Sequence, residues 1–330
     1  MNKGRVIDPS IIRDQMVMSR FVMLKLFLTA SGTSALSFAL LYSLKQTREN
    51  VLTSINNMGS LMNRGYLPFI VGGVLLGIGL DLSGTCPGMV YVQLGAWVKN
   101  CWFTFLGCFV GTFLYTLLQP YIEQLSTKES KHAKTMMELT GWDYRVLAVC
   151  FAVLMYVIVF VVELFAPWRQ DVGESAPMTL SSRAWSPVLA GAVVGLMQLP
   201  LNGLMGKFVG TSMAYMALLA QVYDKAPELK ANKQNWWQVF FCGAAALGSY
   251  LSSALHFGSM NVFDTSIQGA NPLLAFVGGI FLLLGAKTMR ACTSGHGLSG
   301  MALMSIASIV ATMGIFGGGI ITGVIVNRYL

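Results

Sequence analysis

Charged residues are scarce in this sequence. Asp, Glu, Lys and Arg make up 11% of its 330 residues, whereas a soluble domain carries about 25%. The six cysteines include no Cys-x-x-Cys pair and no zinc-type spacing, so neither a disulfide framework nor a structural zinc site is indicated. No basic cluster with interleaved aromatic residues stands outside the apolar runs, which argues against a nucleic-acid partner. No cofactor motif is present, and we expect neither a cofactor nor a metal.

Apolar residues are abundant instead. They account for 55% of the chain, and the mean hydropathy is +0.62. Long apolar runs predict an all-α integral membrane protein with room for about eight spanning helices. Part of the net charge of +8 is expected on Lys and Arg anchors at the bilayer surface. We therefore expect a multi-pass protein of the plasma membrane.

One polar, glycine-rich stretch interrupts this pattern. Arg290–Gly300 lies between the apolar runs Pro272–Gly285 and Met301–Val326. Irregular backbone does not face lipid, because each unpaired N–H or C=O group there costs several kcal/mol. Such a break persists only where protein covers it or where it lines a watery cavity. Arg290–Gly300 is therefore a candidate site.

An earlier part of the chain repeats this arrangement in register. The matched positions, each 206 residues apart, are Leu67 and Leu273, Val71–Gly73 and Val277–Gly279, Cys86 and Cys292, and Gly111 and Gly317. This register predicts an internal duplication with pseudo-two-fold symmetry, as repeats 1–135 and 136–330. Its boundary falls in the hydrophilic segment Ile122–Arg145. Substrate sites of duplicated transporters lie where the copies meet, at discontinuous helices.

Further interruptions predict short re-entrant helices. Met89–Gly95 follows the first cysteine break and predicts a half-helix. Pro200–Gly203 is expected to interrupt another apolar run, and Gly206–Ser212 to open a further short helix. A weaker pairing of Ser19–Val22 with Gly206–Val209 would place Arg20 and Lys207 in two basic breaks.

Both matched cysteines are expected near helix N-termini. Cys86 precedes Pro87, a preferred first helical residue, and Cys292 precedes Thr293 and Ser294, which are capping types. Unpaired N–H groups and the helix dipole favour an anion there. The same location strengthens the thiolate and S–H donor character of a cysteine.

The two copies differ in charge. Lys287 and Arg290 precede Cys292, whereas the first copy has Asp81 and Gly84 at the matched positions. A buried anion needs nearby positive charge or dipoles, and a thiol adds a soft contact. These features predict a site for a small anion with an affinity for sulfur. His296 is open to two interpretations, a proton carrier or ligand, and a capping or packing residue.

The six cysteines also allow a packing role and a redox role. Cys101, Cys108, Cys150 and Cys242 lie within apolar runs, where cysteine usually serves packing. A membrane thiol oxidoreductase with Cys86 and Cys292 as a redox pair is an alternative function. Thiol–disulfide exchange needs a poised attacking thiol and a nearby partner, and the absence of Cys-x-x-Cys argues against it.

The two signatures Gly84-Thr85-Cys86-Pro87-Gly88 and Cys292-Thr293-Ser294-Gly295-His296-Gly297 resemble the YeeE/YedE sulfur-transport family, including its two-protein PmpA/PmpB-like branch. The resemblance extends over about residues 5–326. It implies thiosulfate uptake through an hourglass-shaped, pseudo-symmetric helical protein, with short helices entering its waist. It also implies that pathway cysteines relay the ion through S–H···S hydrogen bonds.

Cys86 and Cys292 match two of the family's pathway cysteines, while Val22, after Arg20-Phe21, stands where a third is expected. Transport of another sulfur species (hydrosulfide, sulfite, polysulfide or persulfide) is therefore an alternative. The resemblance also implies a small sulfurtransferase-like partner. The chain is expected to be a transporter and not an enzyme. The predicted pathway residues are Arg20, Thr85, Cys86, Pro87, Gly88, Lys207, Lys287, Arg290, Cys292, Thr293, Ser294, Gly295 and His296.

Overall fold

The computed structural model describes residues 1–124, 126, 134–172, 184–223, 225–257 and 267–329. Within these residues the fold is helical and has no β-strand. The helices are α1 (Pro9–Met16), α2 (Val22–Ser43), α3 (Arg48–Ser60), α4 (Leu67–Ser83), α5 (Met89–Gly95), α6 (Cys101–Gln124), α7 (Met136–Thr140), α8 (Tyr144–Phe165), α9 (Trp168–Val172), α10 (Pro187–Leu196), α11 (Gln198–Met205), α12 (Ser212–Val222), α13 (Pro227–Asn232), α14 (Trp236–Phe257), α15 (Pro272–Thr288) and α16 (Ile306–Tyr329). A 3₁₀ turn, Leu61–Arg64, follows α3, and a π-helical segment, Ser294–Gly300, precedes α16.

The prediction of an all-α integral membrane protein is confirmed. In the described part of the chain, five helical stretches have the length and apolar composition of a membrane span: Val22–Ser43, Cys101–Gln124, Tyr144–Phe165, Pro187–Met205 and Ile306–Val326. A sixth is reached if Arg48–Arg64 and Leu67–Ser83, bent by 100°, count as one. The figure of about eight spans stays a prediction. The exposed surface of helix α8 carries the large apolar side chains Val153, Phe160 and Leu164. A continuous apolar surface of this kind is typical of a helix that faces lipid.

Local expectations were met in part. The half-helix Met89–Gly95 is confirmed as α5. The expected interruption at Pro200 is wrong: the helical run breaks at Met197, and Pro200 lies in the first turn of α11, where its missing N–H costs no helical hydrogen bond. Pro87 is likewise not the first helical residue, because α5 begins at Met89 and Gly88 is its N-cap.

The core is built on close glycine contacts between α4 and α15. A Cβ added at Gly72 would lie 2.8 Å from the carbonyl oxygen of Gly285, and one added at Gly79 would lie 2.6 Å from that of Gly278. Only glycine lets these backbones approach so closely. Helix α6 packs on the other side of α15, and α16 packs on α4. The two cysteine breaks emerge from the C-terminal ends of this central pair.

The remaining long helices are held around this core by polar anchors. The Lys25 ammonium on α2 forms a 2.5 Å ion pair with Glu163 on α8, which satisfies a charge that would otherwise be costly in lipid. The Arg13 side chain of α1 donates to the carbonyl oxygens of Asp81 and Leu82 at the end of α4. Helix α1 is thereby fixed beside the first break.

Candidate anion site at the helix breaks

The Cys292 thiol is the centre of the second break. It is buried, and its Sγ lies 3.2 Å from Ser294 Oγ and 3.4 Å from Thr211 Oγ1. The backbone N–H groups of Thr211 and Gly295 also interact with this sulfur. Cys292 therefore faces two helix starts, that of α12 and that of the π-helical segment.

The Cys86 thiol occupies the corresponding place in the first break. It is half-buried, and the backbone N–H groups of Gly88 and Met89, at the start of α5, interact with its sulfur. The two thiols are close enough to interact electrostatically. Both breaks therefore lie next to Thr211, which contacts Cys292 and approaches Gly88.

Thr211 joins the two breaks, and sequence reasoning did not select it. Its hydroxyl contacts Cys292 and lies 3.5 Å from Ser294 Oγ. A Cβ added at Gly88 would lie 2.8 Å from the same Thr211 Oγ1. The sequence does contain a signal for Thr211, which is a polar residue directly before α12. The prediction of a basic break selected Lys207 in the same stretch instead.

A cavity of about 600 Å³ leads from the surface to Cys292. We call it the vestibule. Its lining includes Lys207, Arg290, Cys292 and Gly295, and it reaches solvent beside the exposed Asn57. Four predicted residues therefore lie along one route.

The buried amino group of Lys287 lies beside this route. Its side chain is 3% exposed. Its Nζ lies 3.1 Å from the Met213 sulfur of α12 and interacts electrostatically with Cys292. No carboxylate of the described residues lies within ion-pair distance of Lys287. An ammonium in this setting favours a bound anion.

Arg290 is placed differently from the expectation of free positive charge. Its guanidinium is 44% exposed and lies 2.9 Å from Glu123 and 3.8 Å from Glu228. Arg64 shares Glu123 at 3.4 Å. Two cations and two carboxylates thus meet at the edge of the vestibule, and the charge of Arg290 is largely compensated.

His296 has both ring nitrogens bonded to protein. Nδ1 lies 2.9 Å from Ser308 Oγ, and Nε2 lies 3.0 Å from the carbonyl oxygen of Met289. The ring is fully buried and packs edge-on against Phe69. Of its two interpretations, this geometry favours a residue that holds the break in shape.

Among the described residues, no group of three or more His, Cys, Asp or Glu side chains could hold a metal ion.

The other predicted residues fall into two groups. Thr85 and Pro87 lie in the first break, where Thr85 is fully buried and the Pro87 carbonyl accepts from the Tyr215 hydroxyl at 2.9 Å. Thr293 is buried beside Cys292, and its hydroxyl has no partner among the described residues. Arg20 instead bonds Asp14 and Ser10, between α1 and α2. In the described structure, no hydrogen bond or ion pair joins Arg20 to the thiols.

The chain is similar to known transport proteins. A family model described as sulphur transport matches residues 3–321. The chain belongs to this sulphur transport family. Over 255 residues, 73% of this chain and 69% of the relative, it is 20% identical to the thiosulfate transporter TsuA of Escherichia coli (strain K12). Over 131 residues, 40% of this chain and 86% of the relative, it is 30% identical to a probable transporter of Xylella fastidiosa (strain 9a5c).

Membership in the sulphur transport family confirms the resemblance seen in the two cysteine signatures. Family and relatives together indicate a transporter of a sulfur-containing anion. With its apolar helices, the chain is a multi-pass membrane protein, and its family supports the plasma membrane as its location.

Proposed function

We propose that this protein transports thiosulfate, which passes Cys292 and Cys86 in the waist between the two breaks. The observation that carries the proposal is the meeting of the breaks at Thr211, with one thiol on each side and the buried Lys287 beside them. The similarity to a thiosulfate transporter supports the choice of anion.

Each part of the site suits one part of the substrate. Thiosulfate has a soft terminal sulfur and a harder group of oxygens. The thiols of Cys86 and Cys292 offer S–H donors and polarisable contacts to the sulfur. The Thr211 hydroxyl and the backbone N–H groups at the helix starts are donors for oxygens. Lys287 offsets the cost of removing the anion from water.

The position of the thiols favours stepwise passage. Cys292 lines the vestibule, whereas Cys86 does not line its described wall. An anion entering from the vestibule would meet Cys292 first and then exchange its S–H donor for that of Cys86. Such a transfer needs small side-chain movements at Thr211 and little rocking of whole repeats.

The proposal includes the two repeats, 1–135 and 136–330. Reciprocal contacts of the glycines support them. Gly72 and Gly278 are matched positions, as are Gly79 and Gly285, and the structure pairs Gly72 with Gly285 and Gly79 with Gly278. A pseudo-two-fold axis relates these two contacts to each other. Residues 125 and 127–133, at the expected boundary, lie outside the described residues.

Uptake of labelled thiosulfate into proteoliposomes tests the proposal. Cys292→Ala should abolish uptake while the purified protein keeps its yield and melting temperature. Cys150→Ala is the matched control, because Cys150 is an exposed thiol on α8. Undiminished thiosulfate uptake by Cys292→Ala would refute the role of this thiol.

A second candidate is transport of another sulfur species, and Val22 favours it. Val22 is fully buried and puts an apolar side chain where the resemblance leads one to expect a thiol. Hydrosulfide, sulfite, polysulfide and persulfide should then compete for uptake more strongly than thiosulfate does.

A small sulfurtransferase-like protein that receives the anion is part of either proposal. Stable counts of free thiols through turnover would reject the oxidoreductase alternative, which needs a disulfide.

A further inference from the structure

Two cysteines assigned to packing lie beside the thiols of the proposed pathway. Cys108 on α6 and Cys242 on α14 are both buried. The Cys242 Sγ lies 4.0 Å from the carbonyl oxygen of Thr211, the residue whose hydroxyl contacts Cys292. Cys242 lies near Cys292, and Cys108 lies near Cys86. Four thiols from four segments of the chain therefore surround the start of α12.

The Tyr91 hydroxyl lies near the two additional thiols. Tyr91 is on α5 and is 7% exposed, and its hydroxyl has no partner at ordinary hydrogen-bond distance among the described residues; the Tyr215 hydroxyl interacts with it at longer range. Its electrostatic neighbours include Cys108 and Cys242. A buried hydroxyl without a close partner is uncommon, and a bound ion or solvent molecule is a frequent explanation.

Neighbouring aromatic rings restrict where this hydroxyl can point. The Tyr91 ring lies 5.0 Å from the Tyr215 ring and 5.8 Å, edge-on, from the Phe105 ring. The Tyr215 hydroxyl already donates to the Pro87 carbonyl oxygen and also contacts Cys108. Tyr215 is thus fixed by its own hydrogen bond, while the Tyr91 hydroxyl makes no short hydrogen bond to the described residues.

We infer that Tyr91, Cys108 and Cys242 form a further subsite for the transported sulfur anion. The inference depends on the proposed function, because the ligand is the same small anion. The Tyr91 O–H donates to an oxygen, and the Cys242 S–H gives up its long contact with Thr211 and donates as well. Cys108, held by Tyr215, offers a polarisable sulfur. None of these three residues lines the described vestibule wall, so the subsite lies beyond Cys292, next to Cys86.

Two variants test the subsite, and one control variant calibrates them. Tyr91→Phe removes only the unpaired hydroxyl, and Cys242→Ala removes one thiol. Each should lower thiosulfate uptake into proteoliposomes about tenfold, as expected for the loss of one hydrogen bond to an anion. Tyr91→Phe should leave the melting temperature unchanged or raised, because no protein partner is lost. Cys101→Ala, a buried thiol at the start of α6, should take up thiosulfate like the wild type.

A second measurement uses the wild-type protein. N-ethylmaleimide labelling of each cysteine is followed by peptide mass spectrometry, with and without thiosulfate. Thiosulfate should slow labelling of Cys108 and Cys242 at least fivefold relative to Cys101, which corrects for any consumption of the reagent.

The possible outcomes separate the two proposals. Wild-type uptake by both Tyr91→Phe and Cys242→Ala, beside an inactive Cys292→Ala, would overturn the subsite and leave thiosulfate transport standing. A lower melting temperature of Tyr91→Phe would show that the hydroxyl has a structural partner, which also overturns the subsite. A wild-type protein that takes up no thiosulfate contradicts the proposed function itself.

Discussion

The two cysteine breaks begin alike and then differ. Each follows a helix of 17 residues, α4 or α15, and each makes its first turn through a left-handed residue at a matched position. That residue is Gly84, with a φ of 62°, in the first break and Arg290, with a φ of 64°, in the second. Glycine adopts this conformation at no steric cost in the first break, whereas Arg290 adopts it with backbone strain in the second break.

The breaks then diverge in structure and charge. The first continues into the half-helix α5, and the second into a π-helical segment. Two positions after each cysteine stand Gly88 and Ser294, which contact Thr211 from two sides. One turn before each break stand the matched residues Asp81 and Lys287. Under the proposed duplication, the two breaks share a backbone plan, and the basic and polar side chains stand in the second of them.

The largest effect is expected from the buried charge. Lys287→Met should lower thiosulfate uptake about 100-fold, because the anion then enters a buried site without a nearby cation. The matched change in the first break, Asp81→Asn, keeps the shape of a side chain that makes no described hydrogen bond to either thiol, so uptake should change less than about threefold. Initial rates in proteoliposomes, normalised to protein, measure both variants. Equal losses would contradict the inequality of the breaks.

Gly88→Ala should lower uptake about 30-fold. The new Cβ would press on Thr211, which is β-branched and stiff, and overpacking of this kind costs about 2 kcal/mol. Adding Thr211→Ser removes the methyl group that a Cβ at Gly88 would meet at 3.0 Å, so the double variant should recover part of the uptake. Without recovery, contact between the breaks at Thr211 would not be the cause of the loss.

Thr211→Val should lower uptake about tenfold, since it keeps the shape of the side chain and removes one hydrogen-bonding group. Thr211→Ser keeps the hydroxyl and should retain most of the uptake. The comparison is made from the dependence of the uptake rate on thiosulfate concentration. If both variants transport equally well, the hydroxyl does not contact the substrate.

The smallest effect concerns the two left-handed turns. Arg290→Gly should raise the free energy of unfolding by about 1 kcal/mol, with a change in uptake of no more than about threefold, because the lost charge is already compensated by Glu123 and Glu228. Gly84→Ala should instead destabilise the protein, since a Cβ there would meet the Pro9 carbonyl oxygen at 2.8 Å. Chemical denaturation measures both variants, and a destabilised Arg290→Gly would show that the ion pairs outweigh the strain.

The breaks themselves could be predicted, because polar and glycine-rich residues inside apolar runs conflict with the bilayer wherever they occur. The half-helix α5 followed from the same local pattern. The predicted interruption at Pro200 was wrong, because a proline disrupts the interior of a helix but fits the first turn of a new one. The role of Thr211 could not be predicted, because its contact with Cys292 joins residues 81 positions apart.

Composition and local pattern alone determined that this chain is a helical membrane protein, where its helices are interrupted, and which two cysteines occupy matched interruptions. Packing alone decided that Thr211 stands between the breaks, that Arg290 is balanced by Glu123 and Glu228, and that His296 is bonded on both sides. The physical reason is the distance along the chain over which each effect acts. The conflict between unpaired backbone groups and lipid arises within a single segment, whereas a side-chain contact depends on how segments distant in sequence pack together.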